Sequence, residues 1–343
     1  MGLLERSHRL LNFPKTQLLI ESLVSERIVP GVNYALLKGD QVFASTLGFA
    51  SIYPAKSQLS PFAYYDLASC SKVLATTAAF LQLREEGKVD FADPLQKYVP
   101  EFKDGRVRLS HLLTHTSGIR GWIENRNALS GPELMRAIVG LPVTSEFNRV
   151  VRYADTNFVL LGLVLERITG KAVQDLASER IFQPAGLTET TFAPPKEECV
   201  PTELVDGQVI QGFVHDPKGQ QLGRRCGSAG LFSTVSDLVK MGQGYMGVSD
   251  LLPLKKETIQ DLYQVKTPAG LKARSWGWNL VFDPKENYPI IYHTGFTGTL
   301  VLFDQVKQSG LILLTNRVHP SRHNQIFLTM RSRIINAFLQ ENR

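Results

Sequence analysis

From residue 16 to 27 apolar side chains return every three to four positions, the period of an amphipathic helix. Pro30-Gly31 interrupts it, and in VNYALLKGDQVFASTLG the pattern becomes two strand-like runs around a Lys38-Gly39-Asp40 turn, which predicts a β-hairpin. Helical spacing resumes at Ser69 in SCSKVLATTAAFLQLREEG and stops at Gly87, where a left-handed C-terminal cap belongs. Further helices are predicted over Gly131 to Val139, Thr156 to Thr169 and Ala172 to Arg180. After about residue 215 strand patterns return in WGWNLVFD, PIIYHTGFTGTLVLFD and SGLILLTNR, before a last helix from about Ser321 to Glu341. Both ends of the chain therefore supply one mostly antiparallel sheet. The expected fold is α/β (α+β): a sheet lobe from residues 1–65 and 216–343 flanked by terminal helices, an inserted, mostly helical lobe over 66–215, and a site in the cleft between them.

Composition narrows the function more than the fold. A hydrophobic fraction of 43% supports a sizeable core. The net charge of +6 comes from scattered basic residues, with pairs such as Arg224-Arg225 but no basic face, which argues against nucleic acid as a partner. Three widely spaced cysteines, Cys70, Cys199 and Cys226, make neither a disulfide framework nor a zinc pattern and fit a reducing cytoplasm. The first residues carry Arg6 and Arg9, but Asn12 and Pro14 break the apolar run, so no secretory leader is expected. The longest apolar stretch, around Phe158 to Leu165, is far short of the ~18 residues of a membrane span. The expectation is a cytoplasmic enzyme without a membrane partner.

Three short segments carry candidate chemistry. Ser69-Cys70-Ser71-Lys72 places a hydroxyl and an amine on one helix face, three residues apart, at a helix start with free backbone N–H groups. Such an amine, deprotonated in a desolvated cleft, can take the hydroxyl proton; a solvated helix start is the plain alternative. Tyr153-Ala154-Asp155 precedes a helix after a polar loop, so Tyr153 is either packed there or a general base. A phenol titrates near ~10, and a base role requires neighbouring cations. His293-Thr294-Gly295 lies in a strand pattern whose glycine permits close backbone approach, with a turn at Gly295-Phe296 as the alternative.

Together these pieces resemble the active-site set of the serine β-lactamases and penicillin-binding proteins: Ser-x-x-Lys, a middle polar motif and Lys-Thr-Gly, in that order. Tyr-x-Asn in the middle and His for Lys in the third motif mark the branch with class C β-lactamases, D-aminopeptidases and esterases of the β-lactamase fold. YDLASCSKVLAT, DPLQKYVPEF, LSHLLTHTSGI, YADTNFVLLG, GSAGLFSTVSDLVKM and LLTNRVHP are similar to that branch as well, over about Val29 to Pro320. The resemblance implies Ser69 as acylated nucleophile, Lys72 as its proton acceptor or field-setting cation, Tyr153 as base and later acid, and His293 in the catalytic set. It implies an oxyanion hole from the N–H groups of Ser69 and Phe296, and substrate contacts at Asp155, Thr294 and Gly295. No metal or cofactor is implied. The substrates would be small esters, amides or peptides.

Two departures bear on specificity. Asp155 stands where the lactamase pattern has Asn, and His293 stands where many members keep a lysine charge. Both are expected to remove positive field and so to favour esters over β-lactams. The reading is a serine esterase or amidase; a β-lactamase or D,D-carboxypeptidase and a catalytically idle binding homologue are the alternatives. His111 and His115, four apart, lack a third metal ligand at useful spacing, so structural roles are expected. Cys70 reads as packing. His215-Asp216 is placed near the cleft as a packing or hydrogen-bonding pair, and Trp122, Trp276 and Trp278 read as core before acyl pocket.

Overall fold

The computed structural model describes residues 12–343, so the leader expectation, which rests partly on Arg6 and Arg9, lies outside the described residues. Seven strands form the main sheet: β1 (Gly31–Lys38), β2 (Gln41–Ser51), β3 (Ser57–Gln58), β4 (Asn279–Phe282), β5 (Pro289–Thr294), β6 (Leu300–Asp304) and β7 (Ser309–Thr315). Their order is β3-β2-β1-β7-β6-β5-β4, with every pairing antiparallel. The predicted hairpin is β1–β2, and Gly39 takes the left-handed conformation its turn requires (φ 58°).

β1 is buried along almost its whole length because both faces of the sheet are covered. Val32, Tyr34 and Leu36 pack with Leu300, Leu302, Leu311 and Leu313 against the helices Pro14–Ser25 and Ile326–Glu341. Ala35 and Leu37, with Val301, Phe303, Ile312 and Leu314, point the other way, into the core shared with the central helices. The two terminal helices are tied together by Phe13 stacked on Phe338, with ring centres 4.9 Å apart. The Glu341 carboxylate also accepts the backbone N–H groups of Lys15 and Thr16, at 2.7 and 2.9 Å, where the first helix presents its positive end.

Helix ends differ from the expected ones for local reasons. Pro at the first position starts the opening helix at residue 14. The last begins at Ile326, not Ser321, after Asn324 Oδ1 accepts the N–H of Phe327 at 3.2 Å. The segment after Ser69 is not one regular helix. It opens with a 3₁₀ turn (Ala68–Cys70), passes through a π-helical turn (Lys72–Thr77) and only then becomes α-helical (Ala78–Glu85), ending before Gly87 at φ 69°. Thr77 Oγ1 donates to the Lys72 carbonyl at 2.9 Å, satisfying an acceptor within the wider turn. Strands of the main sheet resume at Asn279, later than residue 215, because Pro217–Leu222, Val235–Tyr245 and Lys256–Asp261 are helices. Among the described residues no helix is long and apolar enough to cross a membrane, and the three cysteines are free and buried.

Candidate active site

Ser69 is half-buried in a turn held from several directions. Ala68 before it has φ 46°, a left-handed conformation that costs a residue with a Cβ ~1 kcal/mol or more. Asp66 secures that turn: one carboxylate oxygen accepts the Ala68 N–H at 2.8 Å and the other accepts the His215 N–H at 2.7 Å. Its carbonyl accepts the Thr297 hydroxyl at 2.7 Å, which brings the loop after β5 onto the same residue. Gly295 lies so close that a Cβ there would sit 2.5 Å from the Leu67 carbonyl oxygen and 2.0 Å from Thr299 Oγ1, so only glycine fits. Among the described residues neither the Ser69 nor the Phe296 N–H donates to a protein acceptor. The expected strand and the alternative turn are both present, since β5 ends at Thr294 and the chain turns at Phe296.

Behind Ser69 lies a chain of charges. Lys72 is fully buried; its Nζ lies 2.9 Å from Ser69 Oγ, 2.8 Å from the Ser228 carbonyl and 2.9 Å from Asp155 Oδ1. Burial alone would lower its pKa, but the Asp155 charge and the Tyr153 contact outweigh it, so Lys72 is raised above the ordinary lysine value and stays protonated at neutral pH. Asp155 Oδ2 reaches Lys218 Nζ at 3.1 Å, and Lys218 in turn reaches Asp216 at 3.2 Å. Burial would raise the Asp155 carboxyl, yet Lys72 and Lys218 hold it well below the usual carboxylate range. Asp155 is not among the residues lining the cleft, and its carboxylate is divided between two ammonium groups.

Tyr153 is 46% exposed at the cleft, immediately before the helix Asp155–Thr169. Lys72 Nζ lies 5.3 Å from its ring centre and the Arg274 guanidinium 6.0 Å from it. The His115 ring is 4.5 Å away and the His293 ring 6.2 Å. His115 Nδ1 lies 3.3 Å from the Ala154 N–H and 3.0 Å from Asn157 Nδ2, which assigns its proton to Nε2. His293 is buried, with Nδ1 3.1 Å from the Thr294 carbonyl and Nε2 without a partner among the described residues. Burial, then Arg274 and Lys72, push its pKa well below 6.5. His293 is therefore neutral at neutral pH.

The cleft, of about 640 Å³, is lined by Ser69, Tyr153, His293, Thr294, Gly295 and Phe296 together with Arg274, Arg317, Arg331 and Lys272. Among the described residues no Asp or Glu lines it. Arg274 is 2% exposed; it bonds the side chain of Asn279 and, at 2.9 Å, the carbonyl of Gly277. Burial lowers its pKa only to about 10, so it remains a cation. Arg317 Nε donates to the Phe296 carbonyl at 2.8 Å and its guanidinium lies 4.7 Å from that ring, with His215 stacked 5.6 Å from the same ring. Arg331 donates to the Gly295 carbonyl at 3.3 Å. Arg274 and Lys218 escaped the sequence reading. Lys218 stands two residues beyond the singled-out Asp216, and Arg274 just before Ser275-Trp276-Gly277-Trp278, but neither carries a local signal for a partner more than 60 residues away.

The remaining candidates have structural partners. His111 Nδ1 accepts the Arg108 N–H at 3.0 Å. His215 lies 2.8 Å from Glu203, which Arg322 also pairs. Cys70 is buried, and burial pushes its thiol up to about 12, so it stays protonated. Trp278 is core, Trp276 donates to Asp261 at 2.9 Å and Trp122 is exposed; none lines the cleft.

A serine hydroxyl beside a buried ammonium, at the mouth of a cleft with a sheet edge on one side and helices on the other, defines a serine hydrolase. The chain belongs to the β-lactamase family, whose description, Beta-lactamase, matches residues 17–331. A putative D-alanyl-D-alanine carboxypeptidase of Escherichia coli K12 is 28% identical over 344 residues, covering 84% of this chain and 79% of that protein. The fold is shared with a β-lactamase/D-alanine carboxypeptidase from Pseudomonas syringae (TM-score 0.76, 18% identity, 95% of this chain and 97% of that one). It is shared also with simvastatin synthase from Aspergillus terreus (TM-score 0.75, 16% identity, 96% and 98%).

Proposed function

We propose that the protein hydrolyses small acyl substrates, esters or amides, through an acyl-enzyme on Ser69. The observation that carries this reading is the 2.9 Å contact between Lys72 Nζ and Ser69 Oγ, in a turn where the Ser69 N–H meets no protein acceptor among the described residues. With Lys72 held as a cation by Asp155, the proton acceptor is Tyr153, whose ring has Lys72 and Arg274 beside it. Tyr153 takes the Ser69 proton as Oγ attacks the acyl carbon. The N–H groups of Ser69 and Phe296 stabilise the oxyanion, and the protonated Tyr153 then delivers the proton to the leaving group. A water activated by the same phenolate releases the acyl group. Thr294 and Gly295 present the strand edge along which the substrate lies, and His293 serves there as a neutral ring. The lobe boundaries at 65/66 and 215/216 and a cytoplasmic site of action belong to this reading.

A second reading, a carboxypeptidase acting on a peptide with a free carboxylate, is favoured by the arginines of the cleft. The field argument against carboxylates rested on Asp155 and His293; Lys218 offsets the first, and Arg274, Arg317 and Arg331 stand in for the second. A p-nitrophenyl ester, a chromogenic cephalosporin and a D-Ala-D-Ala peptide, assayed side by side, separate the readings. Ser69→Ala is expected to abolish turnover of whichever is accepted, together with fluorophosphonate labelling, while circular dichroism stays unchanged. Retention of more than a few per cent of activity would point to Ser71 or Cys70 instead.

A further inference from the structure

We infer that Lys218 is a positioning residue for acyl transfer: by sharing the Asp155 carboxylate it lets Asp155 hold Lys72 beside Ser69 and Tyr153 without cancelling the Lys72 charge. This rests on the reading of Ser69 and Tyr153 given above. Asp155 uses one oxygen for each lysine, at 2.9 Å to Lys72 and 3.1 Å to Lys218, so the order along the chain is Lys72, Asp155, Lys218, Asp216, with alternating sign. The Lys218 side chain is only 9% exposed, and its own backbone N–H is anchored by Asp216 at 2.7 Å. Buried charges in such a chain hold a fold together poorly for their desolvation cost, and apolar residues of similar size serve stability as well or better. Their placement immediately behind a nucleophile points to electrostatic work.

An asparagine at 155 would need no counter-charge. An aspartate paired to Lys72 alone would withdraw positive potential from the base; Lys218 restores it. The charged and titratable groups facing Tyr153 are Lys72 from the nucleophile segment, Arg274 from before β4, His115 from the loop after Leu109–Leu113 and His293 from β5. Lys218 reaches Tyr153 only through Asp155.

The test compares the full chain with Lys218→Gln, Lys218→Arg, Asp155→Asn and the double variant Asp155→Asn/Lys218→Gln. Melting temperature, the rate of fluorophosphonate labelling and the pH profile of kcat/KM on p-nitrophenyl acetate are recorded for each. Lys218→Gln should lower kcat/KM about tenfold at neutral pH and move its acid limb up by about one pH unit; Asp155→Asn should move the limb down. The double variant should bring it back to the wild-type position, and Lys218→Arg should leave it there. A Lys218→Gln limb at the wild-type pH, or a double variant displaced as far as Lys218→Gln alone, overturns the proposal and leaves Lys218 a structural ion pair. If Lys218→Gln does not fold, the double variant against Asp155→Asn carries the same comparison, and coincident limbs there overturn it. Wild-type labelling anywhere but Ser69 would instead overturn the acyl-enzyme reading, so the two failures are distinct.

Discussion

The two walls of the cleft treat charge in opposite ways. On the helical side Lys72 and Lys218 meet carboxylates at 2.9 to 3.2 Å, and the cluster sums to neutrality. On the sheet side Arg274, Arg317 and Arg331 meet only carbonyl oxygens and one amide, although Arg274 and Arg317 are almost fully buried. A buried cation without a carboxylate carries a desolvation cost of several kcal/mol that an incoming anion relieves. The paired wall is thus complete before substrate arrives. On the proposed reading, Arg274, Arg317 and Arg331 are left free to meet an anionic group, and the difference separates machinery from recognition within one cleft.

The comparison breaks most severely where the walls touch. Gly295→Ala puts a methyl 2.5 Å from the Leu67 carbonyl, which cannot rotate away as Thr299 can, so the strand edge must back off the Ser69 turn. A stability loss of about 1–3 kcal/mol is expected, with a fall in kcat/KM of about 100-fold as one donor of the proposed oxyanion hole is displaced. Urea titration and steady-state kinetics check both. Wild-type kinetics would show that the seam does not position the site.

Arg274→Gln sharpens the comparison. Charge-assisted hydrogen bonds are worth about 1.5–3 kcal/mol, so kcat/KM on carboxylate-bearing substrates should fall about 10- to 100-fold, through KM, while a neutral ester is much less affected. An equal loss on both, through kcat, would mean that Arg274 acts on Tyr153 and that recognition lies elsewhere.

A further comparison concerns pH. Burial, with help from Arg274 and Lys72, holds His293 and His115 well below 6.5 when folded, and burial also lowers His319. The unfolded chain takes up protons at these residues as pH falls through about 6.5, whereas the folded chain does not, so stability is full above that pH and declines below it by up to ~1.4 kcal/mol per pH unit for each histidine. Urea midpoints at pH 7.5 and 5.5 measure this. His293→Gln should lessen the decline without introducing or removing an activity limb near 6.5. A limb that vanished with His293 would show that His293 titrates there.

Much of this was readable along the chain because the relevant contacts are local. Ser69 and Lys72 are three residues apart, the Lys38-Gly39-Asp40 turn declares its hairpin, and alternation sorts β1 between two cores. The irregular opening of the nucleophile segment was not readable, because Thr77 and Thr76 stabilise it through the Lys72 and Gly227 carbonyls and no periodicity registers such bonds. Lys218 and Arg274 were missed for another reason: a charge advertises its presence in the sequence but not its partner. The cations around Asp155 and His293 were unreadable for the same reason.

Asp66 also has a consequence for how the chain becomes active. Its contacts join residues 149 and 231 positions apart in sequence, so the turn bearing Ser69 cannot settle until the middle and the last quarter of the protein have found it. Contacts of such separation are costly in loop entropy and tend to form late. A chain that has formed only its helices and its first hairpin therefore still lacks a shaped Ser69 turn.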